Sequence, residues 1–295
     1  MQITRRSTLL GGGLAALALA GCSGGGASDR PIRIGYIESW TDTVSLAFVL
    51  KRQLEAMGHE VEFETLGDAA LMYAALASGD IDIFSSAWPD VTHASYMEEF
   101  GGDIEDLVTY NAGAMNMLAV LDRTDITSIE ELAADPGRFG GRIIGIEPGA
   151  GLTGMVTDAV IPEYGLADAG LELVTSSTAA MLAELESATD SGEDVVVTLW
   201  KPFWANQVYP VRQLEDPRGA FGEPETMHVL GRTGFAETWA DAAAYIGDLA
   251  LSDDQYATLE DKVVNEFGEG QEADAVEAWI EENPDVLPPL PETQG

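Results

Sequence analysis

From residue 31 onward, short apolar runs alternate with segments in which apolar positions recur every three or four residues. Ile32-Arg33-Ile34-Gly35-Tyr36-Ile37 predicts a strand. Thr43 to Met57 predicts a helix, because Val44, Ala47, Leu50, Leu54 and Met57 fall near one face and Gly58 stops it. Val61-Glu62-Phe63-Glu64 alternates like a strand. Asp68 can cap a helix over residues 69–78 that Gly79 ends, and Ile81-Asp82-Ile83-Phe84 is the next strand. A second unit follows. Ser128-Ile129-Glu130-Glu131 is a capping box. Strands at 142–146 and 171–174 are followed by helices at 152–164 and about 178–188. Val195-Val196-Val197-Thr198-Leu199 is almost wholly apolar, as in a central parallel strand. After Met227 to Leu230, helical stretches at 237–251, 253–267 and 272–282 precede a proline-rich end.

Strand–helix alternation in two units implies an α/β protein with two lobes, each a mainly parallel sheet flanked by helices, facing a cleft that suits a ligand. The expected boundaries are residues 31–112 for the first lobe, 113–228 for the second, and 229–295 for a return to the first.

The first thirty residues are an address. Arg5 and Arg6 precede an apolar stretch from Leu9 to Ala20, too short to span a membrane, which takes roughly 20 apolar residues. Residues 1–21 fit a secretory signal, and Thr4-Arg5-Arg6-Ser7-Thr8-Leu9-Leu10 resembles a twin-arginine export signal. Leu19-Ala20-Gly21-Cys22 resembles the lipobox of prokaryotic lipoproteins, which implies a diacylglycerol on Cys22 and an extracytoplasmic protein anchored to the membrane. The Gly- and Ser-rich residues that follow, to residue 30, suit a flexible tether.

Composition narrows the partners. The 295 residues carry 51 Asp plus Glu against 14 Lys plus Arg, a formal charge of −37, and the lysines are Lys51, Lys201 and Lys262 alone. Such a chain will not hold a polyanion, so nucleic acid is excluded as a partner. A cationic ligand and a salty medium are the readings left open. The single Cys excludes a disulfide framework and a Cys-rich metal site. The three His are far apart, no Ser stands in a nucleophile elbow, and no Gly-rich loop with Lys cradles phosphate. The expectation is a monomeric binding protein, not an enzyme, with no cofactor and no metal.

Three of the six tryptophans, Trp40, Trp88 and Trp200, stand just after predicted strands, where ligands bind in open α/β sheets. Ring faces attract a cation that has no N–H to donate, each contributing about 0.5–2 kcal/mol. Trp239 and Trp279 lie in helical stretches and suit packing; Trp204 suits a brace for the cleft wall. Asp42 is either an acceptor for a ligand hydroxyl or a helix N-cap. The N–H groups of a turn at Gly149, Gly151 and Leu152, together with His228, would instead serve a ligand carboxylate. His228 is equally readable as a strand residue satisfied by a neighbouring backbone group, and His59 and His93 as surface.

The segments Gly35–Asp42, Ala87-Trp88-Pro89, Gly145–Gly151, Val197–Trp204 and Thr226-Met227-His228 resemble the substrate-binding proteins of ABC importers for glycine betaine, proline betaine and choline. The resemblance covers most of residues 31–282. It implies a two-lobed, type II-like periplasmic-binding-protein fold that closes on its ligand around an aromatic cage and delivers it to an importer permease. Trp88 and Trp200 match widespread cage positions, and Trp40 with Asp42 matches the Trp-Thr-Asp segment of the choline branch. Gly149-Ala150-Gly151 is more similar to the betaine branch. An aromatic of the choline branch is replaced near Asn116, and a helix Trp of some betaine binders near Leu251. The cage is thus a hybrid, with carnitine, proline betaine and sulfonium analogues as further ligands, and a lipid-anchored sensor uncoupled from transport as the other class of function.

Overall fold

Strand β1 (Ile32–Tyr36) lies between β2 (Val61–Thr65) and β3 (Ile83–Ala87) and runs parallel to both. The computed structural model describes residues 30–291, so the expected signal peptide, Cys22 and tether lie outside the described residues. Helix α1 (Thr41–Ala56) crosses from β1 to β2, burying Leu46, Val49, Leu50 and Leu54 at 0–1% exposure. It starts two residues before the expected Thr43. The Thr43 hydroxyl accepts the Ile37 N–H at 2.9 Å and lies 2.9 Å from the Ile37 and Trp40 carbonyls, folding the β1–α1 loop into the helix start. Asp42 therefore sits inside the first turn and not at the cap. Helix α2 (Ala69–Ser78) has the ends its sequence predicts: Asp68 accepts from the Leu71 N–H, and Gly79 takes the left-handed φ of 78° that favours glycine.

With β4 at Ile104–Leu121, β5 at Arg142–Ile144, β6 at Glu172–Val174, β7 at Val196–Lys201 and β9 at Glu225–Arg232, the strand order is β2-β1-β3-β9-β4-β7-β5-β6, and β8 (Val211–Gln213) also pairs with β4. The expected parallel ladders are present around β1 and around β5 (Arg142–Ile144), which joins β6 (Glu172–Val174) and β7 (Val196–Lys201). Two strands then add antiparallel ladders. The 18-residue β4 (Ile104–Leu121), which no alternation announces, pairs with β9 (Glu225–Arg232) up to Ala114 and with β7 from Met115 to Val120. One strand thus belongs to both sheets, and the chain passes from the first lobe to the second along it. Strand β9 begins at Glu225 and, among the described residues, pairs with β3 and β4.

Apolar burial is continuous through both sheets. Trp239 and Trp279 are 1% and 0% exposed and belong to this packing. Arg30 and Arg232 lie over the Trp239 ring at 4.5 and 5.5 Å. The same two arginines and Arg33 surround the fully buried Asp82. Burial pushes that carboxyl up, but the hydrogen bonds and charges of its partners outweigh this and hold it below its ordinary value. A buried carboxylate of this kind is tolerable only because it is multiply paired.

Candidate ligand site

Trp40 occupies the cap position of α1, Trp88 follows β3, and Trp200 lies near the end of β7. All three line one cavity of about 370 Å³ between the lobes, counting its open mouth. They are 8%, 5% and 5% exposed, so their indoles are held by packing and not free in solvent. Trp200 stacks on Phe203 with centroids 4.1 Å apart. Trp204 meets Phe203 edge-on at 5.6 Å, which makes it a brace behind the cavity wall.

The polar lining comes from the first lobe and from β4. Ser86 donates to the Asp42 carboxylate at 2.8 Å and lies 2.8 Å from the Tyr110 hydroxyl. Burial pushes Asp42 up to about 6, against hydrogen bonds from Ser86, the Thr43 N–H and the Trp88 indole. His93, read as surface, is 2% exposed and lines the cavity. Its Nδ1 accepts the backbone N–H of Trp88 at 3.1 Å, and the Tyr73 hydroxyl is 3.3 Å away. Two donors at Nδ1 assign the proton to Nε2. Burial pushes the imidazole down to about 3, so it is uncharged at neutral pH. Its ring lies parallel to Trp40, 7° off, with centroids 6.4 Å apart.

Asn116 pairs with Trp200 across β4 and β7 and lines the cavity. Its Nδ2 donates to the Thr92 hydroxyl, which itself donates to Glu225. Glu225 also accepts the N–H groups of Val91 and Thr92 at 2.9 and 3.0 Å, fixing the loop that carries His93. Among the described residues, no Lys or Arg lines the cavity.

The second lobe supplies Ile146, Ala150, Gly151 and Leu152. Gly151 opens a helix there, so its N–H and that of Leu152 have no partner within the helix. A Cβ on Gly151 would stand 2.2 Å from the Thr92 carbonyl oxygen, and one on Gly149 2.3 Å from the Asp68 carboxylate. Both glycines therefore allow the lobes to approach. Gly149 does not line the cavity; its carbonyl accepts the Tyr96 hydroxyl at 3.0 Å.

His228 is not at the cavity. Its Nδ1 lies 2.9 Å from Asp106, and its Nε2 2.7 Å from the Thr226 hydroxyl. These partners are side chains on β9 and its neighbour β4, not the neighbouring backbone group that the sequence suggests. Of the eight candidate contacts, Trp40, Asp42, Trp88, Gly151, Leu152 and Trp200 converge, whereas Gly149 and His228 do not. Among the described residues, no group of three or more His, Cys, Asp or Glu is arranged to hold a metal ion.

Residues 30–282 match the family described as the substrate binding domain of an ABC-type glycine betaine transport system. The chain belongs to this family. The glycine betaine/carnitine transport binding protein of Listeria monocytogenes is 34% identical over 148 residues, 49% of this chain and 47% of that protein. The chain thus spans about half the length of that relative in the matched region. The structure of the glycine betaine/L-proline-binding protein of Borrelia burgdorferi is 33% identical, with a TM-score of 0.80 over 88% of this chain and 97% of that one. An ABC-transporter choline-binding protein in complex with choline is 25% identical, with a TM-score of 0.76 over 86% and 89% of the two chains. Both of these structures share the fold of this chain.

Proposed function

We propose that this protein is an extracytoplasmic receptor, lipid-anchored through Cys22, that traps a choline-type quaternary ammonium cation and hands it to an ABC importer permease. The observation that carries this reading is the convergence of Trp40, Trp88 and Trp200 on one cavity that Asp42 also lines and that, among the described residues, no Lys or Arg lines. A trimethylammonium group offers no N–H, so ring faces suit it better than carboxylates or carbonyls. Three such contacts would contribute several kcal/mol of the about 8 kcal/mol that a micromolar complex requires. Asp42 complements the net positive charge of choline and can accept its hydroxyl hydrogen.

A second reading, glycine betaine, is favoured by a different set of atoms. His93 Nε2–H and the helix-start N–H groups of Gly151 and Leu152 are donors for a carboxylate. A sensor uncoupled from transport would use the same cavity, and transport assays with the cognate permease separate the two.

A thermal-shift panel of choline, glycine betaine, proline betaine, carnitine and sulfonium analogues tests the ligand. Choline is expected to bind at least tenfold tighter than glycine betaine, and the reverse order would favour the second reading. Trp88→Ala and Trp200→Ala should each weaken binding at least about tenfold, the loss of one strong cation–π contact. Unchanged affinity in both would refute the cage.

A further inference from the structure

One buried carboxylate ties the two lobes together without lining the cavity. Glu147 follows β5 in the second lobe and is 8% exposed. Its Oε1 accepts from the Ser39 hydroxyl at 3.0 Å and from the Thr178 N–H at 2.9 Å. Its Oε2 accepts from the Trp40 indole N–H at 3.2 Å and from the Thr178 hydroxyl at 2.9 Å. Ser39 and Trp40 belong to the first lobe, Thr178 to the second. Each carboxylate oxygen thus takes one donor from either side, which uses the acceptor positions of both.

We propose that Glu147 is a positioning residue: as the lobes close, it captures the Trp40 indole N–H and sets that ring against the ligand. The inference rests on the cage reading, because it assigns Trp40 a ligand-facing role. Lobe closure and completion of the aromatic cage are then one event. Opening must break the Trp40 and Ser39 bonds before the ring is released, so the contact acts on ligand escape. A glutamine cannot substitute. If its NH2 replaces Oε2 it faces the indole N–H, and if it replaces Oε1 it faces the Thr178 N–H; neither of these can accept.

Stopped-flow fluorescence with choline and with glycine betaine tests this on the full mature chain. Glu147→Gln should raise koff at least about tenfold and leave kon within about threefold, since removing a partner from a buried charged hydrogen bond acts mainly on dissociation. Ser39→Ala removes one donor between the lobes, keeps every bond within the second lobe, and should raise koff about threefold. Combined with Glu147→Gln it should add little further. Small-angle scattering of the ligand-saturated Glu147→Gln protein should shift toward the open form.

An unchanged koff in Ser39→Ala, or additive effects in the double variant, would overturn the latch, even if Glu147→Gln folds poorly. Full affinity in both Trp88→Ala and Trp200→Ala would instead overturn the cage, so the two failures are distinguishable.

Discussion

Removing the proton from Glu260 should destabilise the folded chain over a pH range in which few carboxyls titrate. Glu260 ends the helix Asp253–Asp261, is 1% exposed, and accepts the Thr41 hydroxyl at 2.6 Å and the Trp204 N–H. Thr41 adjoins both Trp40 and Asp42, so this group sits behind the cavity. Tyr110, Tyr256 and Asp42 interact with it electrostatically. Burial, with a contribution from the Asp42 charge, pushes its carboxyl from 4.5 up to about 8. The folded chain therefore holds a proton that the unfolded chain releases near pH 4.5. The corresponding stability is fully present below that pH and is lost as pH rises through about 8. At about 1.36 kcal/mol per pH unit the whole window amounts to roughly 5 kcal/mol, of which about 2 kcal/mol falls between pH 6.5 and 8. His93 acts in the opposite direction, because its lowered pKa makes stability fall as pH drops from 6.5 to about 3. The upper window is free of that contribution. Glu260→Gln keeps the shape and the Thr41 acceptor without a titrating proton. In urea unfolding of the ligand-free protein, the wild type should lose about 2 kcal/mol between pH 6.5 and 8 relative to Glu260→Gln. Parallel pH dependence in the two proteins would refute the reasoning.

Other outcomes follow from the site. Gly151→Ala should weaken choline binding by about tenfold or more, because its Cβ would stand 2.2 Å from the Thr92 carbonyl oxygen of the facing lobe; calorimetry showing wild-type affinity would contradict this. Choline affinity should fall as pH drops from 7 to 5, as Asp42 takes up its proton near pH 6, and Asp42→Asn should abolish the dependence. Glycine betaine should not share that slope. The formal charge of −37 should make the fold more stable in molar KCl than at low salt, as screening shortens to about 3 Å; a melting temperature equal in both would remove the case for a saline habitat.

Much of the frame was legible because local chemistry decided it. Asp68 and Gly79 mark both ends of one helix, and α2 runs between them. The three tryptophans were found by their position after strands, a rule that depends on topology more than on detail. Strand β4 escaped notice because its pairing with β9 shifts register between Asp106 and Val108, Thr109 and Asn111, and Ala112 and Ala114. Each shift turns the side chains over, so no run of strict alternation survives. His93 was misread for another reason. It lies in a polar stretch, and only the Trp88 N–H and the Tyr73 hydroxyl, brought in by the fold, satisfy its ring. His228 failed in the opposite way: the strand delivers it to Asp106 and not to the cavity. Asn116 was noticed only as a missing aromatic, although its contact with Thr92 helps hold the loop before His93.

The central claim is that ring faces in this cavity select a methylated ammonium. Calorimetry comparing choline with ethanolamine, and glycine betaine with glycine, at one pH and salt concentration tests it most directly. Each pair differs only in the three methyl groups that the rings of Trp40, Trp88 and Trp200 would enclose. The account predicts that at least one methylated ligand binds about a hundredfold tighter than its unmethylated counterpart, roughly 3 kcal/mol. Equal affinity within both pairs would contradict it.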